Sequence, residues 1–353
     1  MLRISEVFSE FEGGILRGLD ARLVKKLGRE FFLVHLDGSE KLQSSPYAKF
    51  VRWNLPVHHS WPCCPKETPG FIEKAAQALF RKFGGSAPQT VVAGALDPGA
   101  SNRYYRTLAS NLRGRTLQLF PENAGEIHDA EHQSADLPTL FCLVGKEGLF
   151  CGLQSPAASK GFYPGGTKFI SQSGSDVISR AGAKVVEALH HLQLRQAPPE
   201  KGSHWLELGA SPGGMTSELL ARGYQVTAVD RAPLDKRLDR AAGLRPVLAD
   251  AASFLPERGA SYDAILSDMN GDALESISTV ARLARHLREN GLVVFTLKTP
   301  GAGSLEEINA LESAVVDRAA ASGLVLFDRR HLSYNRQEFT LFFKRASISA
   351  SVL

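Results

Sequence analysis

Two amines and two carboxylates stand at the ends of apolar runs in the second half of this 353-residue chain. Lys184 lies in ISRAGAKVVEAL, Asp268 closes YDAILSD, Lys298 closes GLVVFTLK and Glu338 opens EFTLFF. Taken singly, charged side chains at strand ends are usually solvated. Gathered in one pocket, they would do acid–base chemistry on a poor nucleophile such as a hydroxyl, whose proton must leave as its oxygen attacks. A free lysine, at about 10.4, stays too protonated to be a base, but burial and a second ammonium both favour the neutral amine. Lys298 is the expected base or electrostatic activator, with Lys184 supplying the second charge. Asp268 and Glu338 would orient the amines and keep the cluster from being an unpaired buried charge.

A second constellation runs from Trp205 to Thr216, WLELGASPGGMT. An apolar strand carrying Glu207 breaks into Gly209 and Ala210, then Ser211, Pro212, Gly213 and Gly214, before Met215 opens a helical pattern. Gly209 can take backbone angles closed to other residues and lets a ligand approach the main chain. Ser211 is expected to cap the helix, with Pro212 in its first turn. Asp230 ends the next apolar run, QVTAVD, about 20 residues on, where an acidic side chain of a doubly wound sheet accepts hydrogen bonds from ribose hydroxyls. Asp250 ends the following run, PVLAD. The spacing is not the G-x-G-x-x-G that seats a pyrophosphate on a helix end, which argues against a nicotinamide-dependent oxidoreductase.

The elements that must position these residues alternate from ISRAGAKVVEALHHL to EFTLFFKR, with ISTVARLARHLREN read as one helix. Such alternation predicts an α/β domain with a mainly parallel sheet covered on both faces. The expected organisation is a small N-terminal α+β domain over 1–65, an α+β module over 66–165, a Gly/Ser-rich linker over 166–178, the α/β domain over 179–346 and a tail over 347–353. In the module, LPTLFCLVGK and GLFCGLQS read as strands joined by a turn at Glu147-Gly148.

With 43% hydrophobic and 22% charged residues, the composition is that of an ordinary globular protein. No run reaches the roughly 18 apolar residues a spanning helix needs, and MLRISEVFSEFEGG lacks a secretory apolar centre, so no membrane association and a cytoplasmic location are expected. Four cysteines fit reduced thiols better than a disulfide framework. HHSWPCCP brings His58, His59, Cys63 and Cys64 together, but adjacent pairs do not match zinc spacing, so no metal is expected. A net charge of +4 does not by itself mark a nucleic-acid binder. Its distribution says more. Arg103, Arg106, Arg113 and Arg115 alternate with Tyr104 and Tyr105 on an expected helix, and Lys160 and Lys168 flank Phe162 and Tyr163. Cations meet phosphates and aromatics stack on unpaired bases, so RNA is the expected partner. The competing reading is an amphipathic helix with a solvated basic face and buried tyrosines.

The acidic-x-G-x-x-P-G-G loop resembles the first motif of S-adenosylmethionine-dependent methyltransferases that act on RNA ribose, and the Lys-Asp-Lys-Glu order matches their catalytic tetrad. From about Leu140 to Arg345 the chain resembles the ribosomal RNA large subunit methyltransferase M family. The matching stretches are ISRAGAKVVEA, ELGASPGGMT, VDRAPL, SDM, FTLKTP and LSYNRQEFTLFFKR. The resemblance implies a Rossmann-like fold with an antiparallel C-terminal strand, S-adenosylmethionine as cofactor, and 2′-O-methylation of a cytidine in 23S rRNA. It implies that Asp250 contacts the adenine, that Asp268 doubles as a cofactor residue, and that the preceding module is an RNA-binding THUMP domain. Arg180 and Arg336, beside two tetrad members, join the RNA-contact candidates, and a monomer is expected. Glu207 stands where relatives commonly carry aspartate, which keeps the carboxylate on a longer arm. Two alternatives are methylation of another RNA, such as transfer RNA or a messenger cap, and a non-catalytic assembly factor on the same fold.

Overall fold

The computed structural model describes residues 1–38, 40–61, 68–97, 103–120, 130–171 and 177–346. The chain forms two compact units, one comprising Met1–Lys168 with Gln193–Arg195, the other Phe169–Leu192 and Gln196 onward.

The first unit holds two four-stranded sheets. Strands β1 (Leu2–Ile4), β2 (Ala21–Leu27), β3 (Phe31–Leu36) and β4 (Val51–Asn54) make one, in the order β2-β3-β1-β4. Strands β5 (His59–Trp61), β6 (Val91–Ala95), β7 (Thr139–Gly145) and β8 (Gly148–Gln154) make the other, in the order β5-β8-β7-β6. Leu27, Phe31 and Trp53 of the first share one buried cluster with Val92, Phe141 and Phe150 of the second. The segments 1–65 and 66–165 thus share one buried cluster within this compact unit. Helices Thr68–Phe83 and Tyr104–Leu117 cover the second sheet through Ala76, Leu79, Leu108 and Leu112. Expected linker residues are packed too: a side chain on Gly166 (φ 76) would stand 2.9 Å from Trp53 Cβ. Glycine is needed there for close packing and a left-handed backbone, not for looseness.

The second unit is a seven-stranded sheet. Its strands are β9 (His204–Leu208), β10 (Gln225–Asp230), β11 (Leu244–Leu248), β12 (Tyr262–Ser267), β13 (Leu287–Lys298), β14 (Leu324–Arg330) and β15 (Glu338–Arg345), in the order β11-β10-β9-β12-β13-β15-β14. The first five pair in parallel, while β15 runs antiparallel to both β13 and β14. The inner parallel strands are buried on both faces, which is why they read as apolar runs such as AIL and LVVF, whereas β11 at the edge is largely exposed. Val185, Ala188, Leu189 and Leu192 of the helix Ala181–Leu192 pack on Trp205, Val226, Ala264 and Val294. One boundary differs from the sequence reading. The helix Ala273–Leu283 ends early, and Leu287 already pairs with Tyr262 at the start of β13, with Asn290 at φ 58. Helix-forming Arg288 and Glu289 are carried into the strand by the pairing of its apolar centre, an override of local propensity by sheet formation. No helix among the described residues is long and apolar enough to cross a membrane.

Candidate active site

The carboxyl-terminal ends of β9, β10, β12 and β13 open on a cleft of about 370 Å³, the usual ligand position in an open α/β sheet. Its floor is the glycine loop. Gly209 takes φ 80, and a Cβ there would lie 3.0 Å from both N and Cα of Met269, so this glycine lets the loops after β9 and β12 touch. The Ser211 N–H donates to Asp230 Oδ2 at 2.9 Å, and Ser211 Oγ donates to Pro233 O at 3.0 Å. The helix then starts at Gly214, behind Gly213 (φ 105), with no side-chain cap. Ser211 is thus not the cap, and Pro212 precedes the first turn. The two residues between Ser211 and the helix, Pro212 and Gly213, complete the loop, because only glycine takes the positive φ required at Gly213 without strain. A Cβ on Gly214 would collide with Ser179 Oγ, which brings the N-termini of the helices Ala181–Leu192 and Gly214–Ala221 together.

Glu207 is 2% exposed and accepts a hydrogen bond from Thr216 Oγ1 at 2.7 Å. Burial pushes its carboxyl up to about 8; the Thr216 hydroxyl opposes this, and the nearby charges of Asp268 and Asp230 reinforce it. Asp230 accepts from the N–H groups of Ser211 and, at 2.8 Å, Ala232, which aims a fixed carboxylate into the cleft. Asp250 lines the same cleft and accepts from Ala252 N–H at 2.9 Å. Ala210 and Met215 complete the lining from the loop.

The four tetrad residues meet. Lys298 and Glu338 are direct partners across β13 and β15. Lys184, in the first turn of its helix, sets Nζ 2.6 Å from Glu338 Oε2 and 3.6 Å from Asp268 Oδ2. Lys298 Nζ stands 3.3 Å from Asp268 Oδ1, so the Asp268 carboxylate lies between the two amines. The side chains are 15% to 21% exposed, half-sheltered rather than solvated. Asp268 and Lys298 line the cleft wall. Glu187, one turn beyond Lys184, accepts the Ser333 N–H with both oxygens at 2.9 Å. The helix that carries Lys184 thereby also grips the loop leading into Glu338.

Several cleft residues escaped the sequence reading: Ser179, Asn270, Glu275, Ser276 and Thr279. Asp272 was a findable signal, since it caps the helix Ala273–Leu283 by accepting from the N–H groups of Leu274 and Glu275 and so turns that helix end to the cleft. Arg282 of the same helix donates to the carbonyls of Ala251, Ala252 and Phe254 and holds the loop that follows Asp250.

The lining carries five carboxylates, Asp230, Asp250, Asp268, Asp272 and Glu275, and the largely protonated Glu207, against two cations, Arg231 and Lys298. A pyrophosphate would be repelled there. S-adenosylmethionine, with its sulfonium, ammonium and ribose diol, fits this donor set: acidic oxygens for the cations and Asp230 for the diol.

The expected RNA contacts divide. Arg103, Arg106, Arg180 and Arg336 are exposed, and Lys168 is half-buried. Arg113 Nε donates to Val91 O at 3.0 Å, and Arg115 grips Glu73 at 2.7 and 3.1 Å. Lys160 donates to the carbonyls of Ala48 and Val51 at 2.7 and 3.4 Å. These three stitch the first unit together. Tyr104 and Tyr105 pack edge to face against each other and lie partly buried on the helical core, Phe162 is 2% exposed and Tyr163 is half-buried. Among the described residues no cluster of His, Cys, Asp or Glu could hold a metal ion. Cys63 and Cys64 lie outside the described residues, and His58 Nδ1 accepts from Leu153 N–H at 3.1 Å.

A family profile described as a methyltransferase domain matches residues 206–295. The ribosomal RNA large subunit methyltransferase M of Halorhodospira halophila is 32% identical over 171 residues, 47% of each chain. That of Shewanella woodyi is 27% identical over 229 residues, 63% of this chain and 62% of its own. The chain thus spans about half to three fifths of the curated relatives it matches. Among solved structures, Aeropyrum pernix fibrillarin with natively bound S-adenosyl-L-methionine is 17% identical at a TM-score of 0.39, over 57% of this chain and 81% of that one. Burkholderia thailandensis 1,6-didemethyltoxoflavin-N1-methyltransferase is 17% identical at 0.35, over 49% and 80%. The second unit is a Rossmann-like methyltransferase fold, and the cofactor its cleft fits is S-adenosylmethionine.

Proposed function

We propose that this chain is an S-adenosylmethionine-dependent RNA ribose 2′-O-methyltransferase, with a cytidine of large-subunit ribosomal RNA as its target. The observation that carries the reading is the Asp268 carboxylate placed between the amines of Lys184 and Lys298 at the wall of an acidic cofactor cleft. Glu207, Asp230 and Asp250 would hold the cofactor, which supplies an electrophilic methyl group on sulfur. Lys298 faces the cleft and acts on the ribose 2′-hydroxyl as base or electrostatic activator. Lys184 and Glu338 brace Asp268 and Lys298 from the adjoining helix and strand. As the oxygen–methyl bond forms, the sulfur–methyl bond breaks and the hydroxyl proton passes to the base and on to solvent. The first unit is assigned as a THUMP-like RNA-binding region, with Arg103, Arg106 and Lys168 as its contacts, joined on the second unit by Arg180 and Arg336.

Calorimetry should detect S-adenosylmethionine but not NAD. Tritiated methyl should then pass to ribosomal RNA in preference to transfer RNA. Binding of NAD alone, or label confined to transfer RNA, would overturn the cofactor or the substrate respectively.

A further inference from the structure

Lys298 is held by one short stretch of chain. Its Nζ donates to Asp268 O at 2.9 Å and to Asn270 Oδ1 at 2.6 Å, and pairs with Asp268 Oδ1 at 3.3 Å. All three acceptors belong to the residues that follow β12, and that stretch is pinned at both ends. Asp268 N–H donates to Leu208 O at 3.2 Å, and Asp272 caps the next helix. Because an ammonium offers donors only, the amide of Asn270 must turn its oxygen to Lys298. The tightest of the three contacts is therefore made by a neutral residue outside the tetrad, on a loop that lines the cofactor cleft.

We propose that Asn270 is a positioning residue for Lys298, fixing its amine toward the methyl acceptor while adding no charge of its own. The inference rests on the ribose-methyltransferase reading. Neutrality matters because the surroundings of this amine are already crowded with charge. Asp268 pairs with it from just after β12, Glu338 is its cross-strand partner on β15, Lys184 reaches the same Asp268 from the helix Ala181–Leu192, and Asp272 and Glu275 line the same cleft. A further carboxylate at position 270 would hold the proton on the amine strongly, whereas a neutral amide directs the amine with a weaker bias toward the charged form.

Asn270→Ala and Asn270→Asp variants of the full chain test this, with cofactor affinity and melting temperature as folding controls. Asn270→Ala is expected to lower kcat about tenfold or more with the cofactor KM within about threefold, the loss of one hydrogen bond to a charged group. Asn270→Asp is expected to retain the amine contact but to move the activating limb of the pH–rate profile to higher pH by about a unit. An Asn270→Ala enzyme with unchanged kcat, or an Asn270→Asp profile that superimposes on the wild type, overturns the role of Asn270. Failure of the wild-type protein itself to methylate ribose would instead overturn the reading beneath it.

Discussion

Glu207 is the cleft carboxylate whose protonation its surroundings alter most, from an ordinary 4.5 to about 8. At pH 7 it is mostly neutral, and a cationic ligand beside it favours the ionised form. S-adenosylmethionine binding is therefore expected to release a proton, so that the calorimetric enthalpy at pH 7 varies with the ionisation heat of the buffer. A Glu207→Gln protein should lose that variation. The sign for folding follows from the same shift. Between about 4.5 and about 8 the folded state binds more protons at this site than the unfolded chain, so its contribution to stability falls as pH rises through that window. Denaturant titrations at pH 5 and pH 8 should show this fall in the wild type and a smaller one in Glu207→Gln; equal falls would refute the assignment.

The site depends on how closely its elements approach. Gly182 and Gly214 bring two helix N-termini together: a Cβ on Gly182 would stand 2.8 Å from Gly214 O, and one on Gly214 would meet Ser179. Because Lys184 sits in the first of these turns, Gly214→Ala should displace it as well as strain the contact. We expect a loss of about 1–3 kcal/mol of stability, typical of overpacking, and a larger fractional loss of methyl transfer than of cofactor binding. Gly114→Ala, on an open helix face, should leave the melting temperature unlowered. Thermal melts of both, with an unshifted Gly214→Ala, would contradict the packing argument. At this level much was legible beforehand. Lys298, Asp268 and Glu338 mark strand ends because apolar runs stop at them, and Asp230 and Asp250 do so likewise. The missed residues sit elsewhere. Asn270 and Ser179 lie in loops whose course tertiary contacts decide, and Thr279 lies on a helix whose periodicity shows a buried face without saying which end meets a cleft. Ser211 was misread as a cap because its neighbours fit the capping rules while the chain delays the helix to Gly214.

Across the molecule, the division of the chain into a mainly parallel α/β unit and an α+β unit before it follows from element alternation. The cluster shared by the two sheets of the first unit does not follow from sequence, because Trp53 and Phe141 come from segments almost ninety residues apart and periodicity cannot pair them. Basic residues were harder to read than acidic ones. Arg113, Arg115 and Lys160 look like Arg103 and Arg106 in sequence, yet the first three are spent on internal carbonyls and Glu73. A methyl group on a ribose 2′-oxygen blocks alkaline cleavage of the adjacent phosphodiester, so ribosomal RNA labelled with tritiated methyl and hydrolysed in alkali reports the site of transfer directly. The account predicts label in alkali-resistant dinucleotides with the wild-type protein, and none above background with Lys298→Ala, although that variant still binds S-adenosylmethionine. Label in mononucleotides, or undiminished transfer by Lys298→Ala, would contradict it.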